Sequence, residues 1–224
     1  MPDSTWVNEG SQTVKKNSVE IFLQWVKENR QTATGIAAIA AVMIIIAVVF
    51  SINYAKNSQT AQKQLFIAQQ VAYGGRTDAG LKQLTDVENN FTSRPEADFA
   101  IYTKGDIFFN QGKFKEAASE YEKILKRKAN ADLLPYAAYS IAKCYQGLED
   151  YDSAIIKLKD FITAWPDHFL CGQAYSSLAY VYQKKGDLSA ARETYEKITV
   201  LFPDTGWAQE AKLKLSIIPQ NPAK

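Results

Sequence analysis

The sequence predicts an all-α chain, in which a single transmembrane helix is followed by an α-solenoid of about four helix hairpins and a capping helix. Two observations carry this. No charge occurs between Arg30 and Lys56, and a period of 37 residues runs through the rest of the chain. The composition removes other classes. The 224 residues hold 26 Lys+Arg against 24 Asp+Glu, a formal net charge of +2 without the basic field that nucleic acid needs. One His and two Cys are too few for a metal centre or a disulfide scaffold. At 46% hydrophobic and 22% charged, the chain can bury a core.

The membrane helix comes first in chain order. Ile36 to Phe50 (IAAIAAVMIIIAVVF) has no polar side chain, and with its Thr, Ser and Asn flanks it reaches the roughly 20 residues that cross a hydrocarbon core. A core helix of a soluble protein rarely runs so far without a charge. A cleaved signal peptide would need a much shorter charged region ahead of the apolar run, and no small-x-small site follows it. No Cys follows it for lipid attachment. The expectation is an uncleaved signal anchor over residues 35–55, with an arm at 1–34, a repeat domain at 56–218 and a tail at 219–224. Lys15, Lys16, Lys27 and Arg30 precede the run, and Lys56 and Lys63 follow it. The excess on the N-terminal side places the N-terminus in the cytoplasm and the larger part across the membrane. From Ile36 to Tyr73 there is neither Gly nor Pro. Either the membrane helix runs on into the first hairpin, or Ser and Asn between Ser51 and Ser58 kink it.

The repeat rests on small residues in phase. Ala68, Gly105, Ala142 and Ala179 form one series, Gly80, Ala117, Ala154 and Ala191 a second, and Ala100, Ala137, Ala174 and Ala211 a third, each at 37-residue spacing. Large residues keep the same phase: Phe108, Tyr145 and Tyr182; Phe114, Tyr151 and Leu188; Leu84, Tyr121, Leu158 and Tyr195. Small residues let the two helices of a hairpin, A and B, approach closely, and large ones fill the space between hairpins. Gly74-Gly75, Gly112, Gly147 with Asp150, and Gly186-Asp187 mark the A–B turns. Pro166-Asp167 and Pro203-Asp204 end helix B in repeats three and four, where the Asp is expected to cap the next helix A. Residues 207–218 read as a last helix A closing the stack. Pro219 and Pro222 break the tail.

This pattern resembles the tetratricopeptide repeat. Gly105-x2-Phe108-x3-Gly112-x-Phe114-x2-Ala117-x3-Tyr121 has that family's spacing. Ala142, Tyr145, Tyr151, Ala154 and Pro166 keep it in repeat three, as do Ala179, Tyr182, Gly186, Ala191, Tyr195 and Pro203 in repeat four. Repeat one, with Ala68, Gly75, Gly80 and Leu84, is degenerate. The family's usual period is 34 residues, so the extra residues are expected in loops or helix ends. The resemblance implies a tetratricopeptide-like solenoid whose concave wall is lined by helix A. In phase, that wall holds Phe99, Tyr102, Asp106, Phe109, Tyr136, Tyr139, Lys143, Gln173, Ser176, Tyr180 and Gln183. Aromatic side chains in a groove suit a docked peptide or partner helix; the alternative is that they pack between repeats. The Lys and Asn set with which some members hold a C-terminal carboxylate is missing, since Tyr102, Asp106 and Ser177 stand in its place.

The arm, the FLQWVKENR stretch (Phe22, Trp25, Lys27, Glu28, Asn29), one membrane helix and a repeat domain together resemble the YfgM-like ancillary subunit of the SecYEG translocon. That resemblance implies a single-pass inner-membrane protein with its repeats in the periplasm. Its partners would be translocon subunits, chaperones or envelope proteins. Its function would be that of a scaffold in protein export or envelope protein assembly. The alternative is a transmembrane regulator coupling a periplasmic partner to a cytoplasmic one. The last repeats, with WPDH and FPDTGWAQEAKLKL, also look like repeats of Tol-Pal and outer-membrane assembly proteins.

No phosphate loop, carboxylate pair or nucleophile–base set appears, so neither an enzyme nor a cofactor is expected. His168 reads as a surface loop residue. Cys144 and Cys171 lie roughly 15 Å apart along the stack, beyond the roughly 7 Å that a disulfide spans, and read as small apolar fillers. Lys123 to Lys128 (KILKRK) reads as a solvated helix end that suits the helix dipole.

Overall fold

The computed structural model describes residues 18–128 and 130–219. Lys15, Lys16, Pro222 and the rest of 1–17 and 220–224 lie outside the described residues. The helices are α1 (Ser18–Glu28), α2 (Arg30–Tyr73), α3 (Thr77–Asn90), α4 (Pro95–Asn110), α5 (Phe114–Arg127), α6 (Leu134–Gly147), α7 (Tyr151–Ala164), α8 (Cys171–Lys185), α9 (Leu188–Leu201) and α10 (Gly206–Ile217). A 3-10 turn at Ala131–Leu133 precedes α6. The chain divides into two compact units, one ending at Lys56 and the other beginning at Asn57.

In the first unit, α1 and the leading part of α2 leave their apolar side chains exposed, from Phe22 and Trp25 through Ile44, Ile45 and Ile46 to Phe50. α2 is the one described helix long and apolar enough to cross a membrane. It has no break between Ser51 and Ser58. The Ser51 hydroxyl turns back onto the Ala47 carbonyl at 2.8 Å, which satisfies the polar group without opening the helix.

The second unit is the stack. Residues 57–73 of α2 pair with α3, α4 with α5, α6 with α7 and α8 with α9, while α10 closes the end. All twelve members of the three small-residue series are buried. The close approach is literal at Gly105, where an added Cβ would stand 2.5 Å from Cε1 of Tyr121. The cores are shared between repeats. One joins Ala68 and Ala72 of α2, Leu84 and Val87 of α3, and Ala100 and Ile107 of α4. The next joins Ile101, Tyr121, Ile124, Ala137 and Ile141 across α4, α5 and α6. A third joins Ala142, Leu158, Phe161, Ala174 and Leu178 across α6, α7 and α8, and a fourth Ala179, Tyr195, Ile198 and Ala211 across α8, α9 and α10. Each helix B is thus wedged between its own helix A and the next.

The turns depart from expectation in repeat three. Gly75, Gly112 and Gly186 share one phase and take φ of 92°, 73° and 88°. Glu149, at φ 57°, occupies that phase in repeat three. Gly147 is not the turn residue: it ends α6, and the Phe114 ring fills the place of its missing Cβ, 2.6 Å away. Asp150 and Asp187 cap the B helices, accepting from Ser153 N at 3.1 Å and Ala190 N at 3.0 Å. The Pro-Asp pairs do not cap the following A helices. The bend at 165–170 separates Asp167 from the start of α8, whose N-cap is Leu170, and Thr205 rather than Asp204 caps α10.

The KILKRK segment is not simply solvated. Lys104 is buried between Glu88 of α3 and Glu120 of α5. Lys123 joins them, 2.9 Å from Glu120 and 3.7 Å from Glu88. Arg127 Nε binds the buried Asp98 at 2.6 Å, and its guanidinium also donates to the Thr92 carbonyl. The basic end of α5 therefore ties repeat one to repeat two.

Two stability changes of opposite sign follow, both read by urea unfolding of the full chain in detergent. Glu149→Gly relieves a left-handed backbone and is expected to stabilise by about 1 kcal/mol. Gly105→Ala gains about 1 kcal/mol of helix propensity but presses on Tyr121, at about 1–3 kcal/mol for overpacking; a net loss is expected.

Candidate functional site

The A helices present the expected wall residues in two different settings. Tyr102 and Tyr139 are half-buried ties between repeats. The Tyr102 hydroxyl lies 3.3 Å from Ser140 Oγ and the Tyr139 hydroxyl 3.0 Å from Ser177 Oγ. Their rings pack on Tyr121 and Phe161, at 5.3 Å and 5.7 Å between centroids. Between repeats one and two, Gln69 donates to Thr103 at 2.9 Å in the same role. Asp106 accepts from the Tyr121 hydroxyl at 2.6 Å. Burial holds the Asp106 carboxyl above its ordinary value, against the opposing effect of that hydrogen bond. Tyr136 stands edge-on to His168 at 5.5 Å and tilted on Phe169 at 5.9 Å. Phe99 is exposed near the start of α4.

Phe109, Lys143 and Tyr180 do converge. They line a groove of about 520 Å³ together with Phe114, Gln146, Gly147, Glu149, Tyr151 and Lys184. Phe109 and Phe114 meet edge-to-face at 5.2 Å. Lys184 Nζ sits 5.6 Å above the Tyr180 ring. Lys143 Nζ donates to Gln146 Oε1 at 2.8 Å, and burial holds its ammonium below the usual lysine range. An adjoining recess of about 220 Å³ shares Lys143, Gln146 and Tyr180 and adds Gln173, Ser176, Ser177 and Glu210. Gln183 lies outside both and accepts from the Tyr195 hydroxyl at 3.5 Å.

The groove therefore takes three expected residues in its main part and two more in the recess, while Phe99, Tyr102, Asp106, Tyr136 and Tyr139 stand apart from it. Sequence reading missed Gln146, Phe114, Tyr151, Lys184 and Glu210 as lining. A signal existed for Gln146, which shares the phase of Phe109 and Gln183, and for Phe114 and Tyr151, which share one aromatic series. None marked Lys184 or Glu210, since the first arrives from the end of α8 and the second from the capping helix.

Other singled-out residues have structural work. His168 is half-buried rather than a plain surface residue. Its ring packs on Phe169 at 4.6 Å and Phe161 at 6.1 Å, and its Nδ1 accepts from Leu170 N at 3.3 Å, shaping the α7–α8 bend. Cys144 and Cys171 are free and buried. Burial, and next the charge of Asp106, push the Cys144 thiol up to about 12, which leaves it un-ionised. Among the described residues no group of three His, Cys, Asp or Glu is placed to hold a metal.

A stack of shared-core hairpins with an open, aromatic-walled groove defines an α-solenoid interaction scaffold. A family profile described as a tetratricopeptide repeat-like domain matches residues 23–216, and the chain belongs to that family. Among characterised proteins, the outer membrane protein assembly factor BamD of Rickettsia prowazekii (strain Madrid E) is 27% identical over 131 residues, 53% of this chain. The chain spans about half the length of that relative, 50%. Solved structures show the same fold. Residues 41-end of MamA from Desulfovibrio magneticus RS-1 align at TM-score 0.55 and 22% identity, covering 70% of this chain and 82% of that one. A tetratricopeptide repeat protein from Parabacteroides merdae ATCC 43184 aligns at TM-score 0.58 and 16% identity, covering 71% and 60%.

The raised carboxyl of Asp106 sets a pH dependence. A carboxylate whose folded value lies above its unfolded one binds the proton more tightly when folded. Its stabilising effect is present at acid pH and is lost as pH rises through the folded value. Asp106→Asn keeps an acceptor for Tyr121 without the charge. It should melt higher than the parent near neutral pH, and thermal melts should show the gap closing as pH falls below the ordinary Asp value. A gap independent of pH would contradict this origin.

Proposed function

We propose that this chain is a membrane-anchored scaffold that docks segments of protein partners in its groove and acts in protein export or envelope protein assembly at the translocon. The observation that carries the docking is the groove between Phe109, Lys143 and Tyr180, open to solvent and walled by aromatics from three repeats. Exposed Tyr 180 and its neighbours offer the flat apolar area that anchors a bound segment at low entropic cost.

The anchor reading rests on α2. Ile36 to Phe50 leave a continuous apolar surface unburied, a cost in water of about 25 cal/mol per Å² that a hydrocarbon phase removes. In this reading residues 35–55 span the inner membrane once, residues 1–34 lie in the cytoplasm and residues 56–218 in the periplasm, ahead of a tail at 219–224. The BamD relative supports an envelope role, and the arm's likeness to YfgM-like subunits supports translocon subunits and periplasmic chaperones as partners.

Two measurements test it. Alkaline phosphatase fused at Lys224 should be active, because the enzyme matures only outside the cytoplasm; an inactive, stable fusion would reverse the topology. Photocrosslinkers placed at Phe109 and Tyr180 in cells should capture translocon subunits or exported chains. Tyr180→Ala is expected to melt normally and lose that capture. Tyr139→Ala, which removes a tie between repeats, is expected to lower stability by on the order of 2–3 kcal/mol. Capture of cytoplasmic regulators by the arm, with none at the groove, would favour the transmembrane regulator instead.

A further inference from the structure

Lys143 is an ammonium without a counter-ion among the described residues. It is half-buried on α6 where the groove and its recess meet, and among the described residues its one hydrogen bond is to the neutral Gln146 amide. An ammonium has three N–H donors, so two are left over in a site with aromatic walls. The contrast within the same fold is Lys104, which is enclosed by Glu88 and Glu120. Glu149 and Glu210 line the groove and the recess, but both are solvent-exposed and neither forms a salt bridge with Lys143. Lys184, over the Tyr180 ring, adds a second positive charge at the rim. A buried charge is costly unless it is paired, so the free protein carries a cost at Lys143 that an entering carboxylate would offset.

We infer that the groove selects an extended protein segment bearing an internal Asp or Glu, whose side-chain carboxylate pairs with Lys143 while apolar neighbours rest on Phe109, Phe114, Tyr151 and Tyr180. The inference rests on the docking reading above and adds the chemistry of what docks. An internal acid fits better than a chain end. The cavity does not close at Lys143: the recess continues past it toward Ser176 and Glu210, so a bound chain runs by on both sides. The lost desolvation is recovered only by an anion, which separates acidic segments from merely apolar ones.

The test uses the full chain in detergent micelles and an array of nine-residue peptides, acetylated and amidated, with Glu or Gln at the centre and Leu, Phe or Ala around it. A third set carries central Gln and a free C-terminal carboxylate. The best binder is then measured by fluorescence polarisation. The Glu peptide should bind about tenfold more tightly than its Gln twin, the effect of one charge-assisted contact. Lys143→Met should erase that preference and melt no lower than the parent, with Lys143→Gln as a second variant of the same test. Lys157→Met, on α7 outside the groove, should keep the preference. Equal binding of the twins, or a preference that survives both Lys143 variants, overturns the inference. The docking reading would still stand if Tyr180→Ala abolished that binding. Stronger binding of the free-ended set would overturn it in favour of chain-end capture. No binding by any peptide would count against both.

Discussion

Every core in the stack is shared. Helix B of one repeat buries one face on its own helix A and the other on the helix A that follows, because clusters such as Leu158 and Phe161 with Ala174 and Leu178 draw on three helices from two repeats. A lone hairpin would leave its outer apolar face in water, so the repeats are stable only as a series. The small-residue series are the geometric condition for this. They bring A and B close enough for one layer of large side chains to reach the next repeat, and Gly105 under the Tyr121 ring shows how little room is left.

Stacking in a fixed phase turns each helix A position into a column. The column of Tyr102 and Tyr139 is spent on cohesion, with hydroxyls reaching Ser140 and Ser177. The column of Asp106, Lys143 and Tyr180 diverges: a half-buried acid bonded to Tyr121, an ammonium with no counter-ion among the described residues, and an exposed ring. Cohesion needs the same contact at each step, whereas recognition uses positions where repeats differ. The groove includes Lys143 and Tyr180 of this column. It also contains Glu149, the one turn residue in its phase that is not glycine and yet holds a left-handed backbone. A strained residue at a binding edge is a common companion of function.

The first junction is joined by charge as well as by packing. Repeat one has Leu65 where repeats two and three have Tyr102 and Tyr139, and so lacks the Tyr–Ser tie and has the Gln69–Thr103 bond in its place. The Lys104, Glu88, Glu120 and Lys123 group, with Arg127 on Asp98 and Thr92, adds to the hold on that junction. Such a group adds little net stability over an apolar core, but it penalises any other register, since a shifted repeat would strand a buried charge.

The sequence by itself determined the all-α class, the number of hairpins, the apolar helix and the small residues that had to be buried. These follow from periodicity, which local geometry converts directly into faces of a helix. The two Cys as unbridged fillers were legible for the same reason. Tertiary structure alone decided which wall residues are free. Tyr139 and Tyr180 are the same residue type on the same expected wall, yet Ser177 on the next helix engages the hydroxyl of the first while the second stays exposed at the groove. Periodicity carries no information about what the neighbouring repeat presents. Lys184 and Glu210 enter the lining from the end of α8 and from α10, and Gly147 seats the Phe114 ring instead of making the turn. Each was decided by contacts between residues far apart in the chain, where a side chain's role depends on the atom across from it and not on its own position in the repeat.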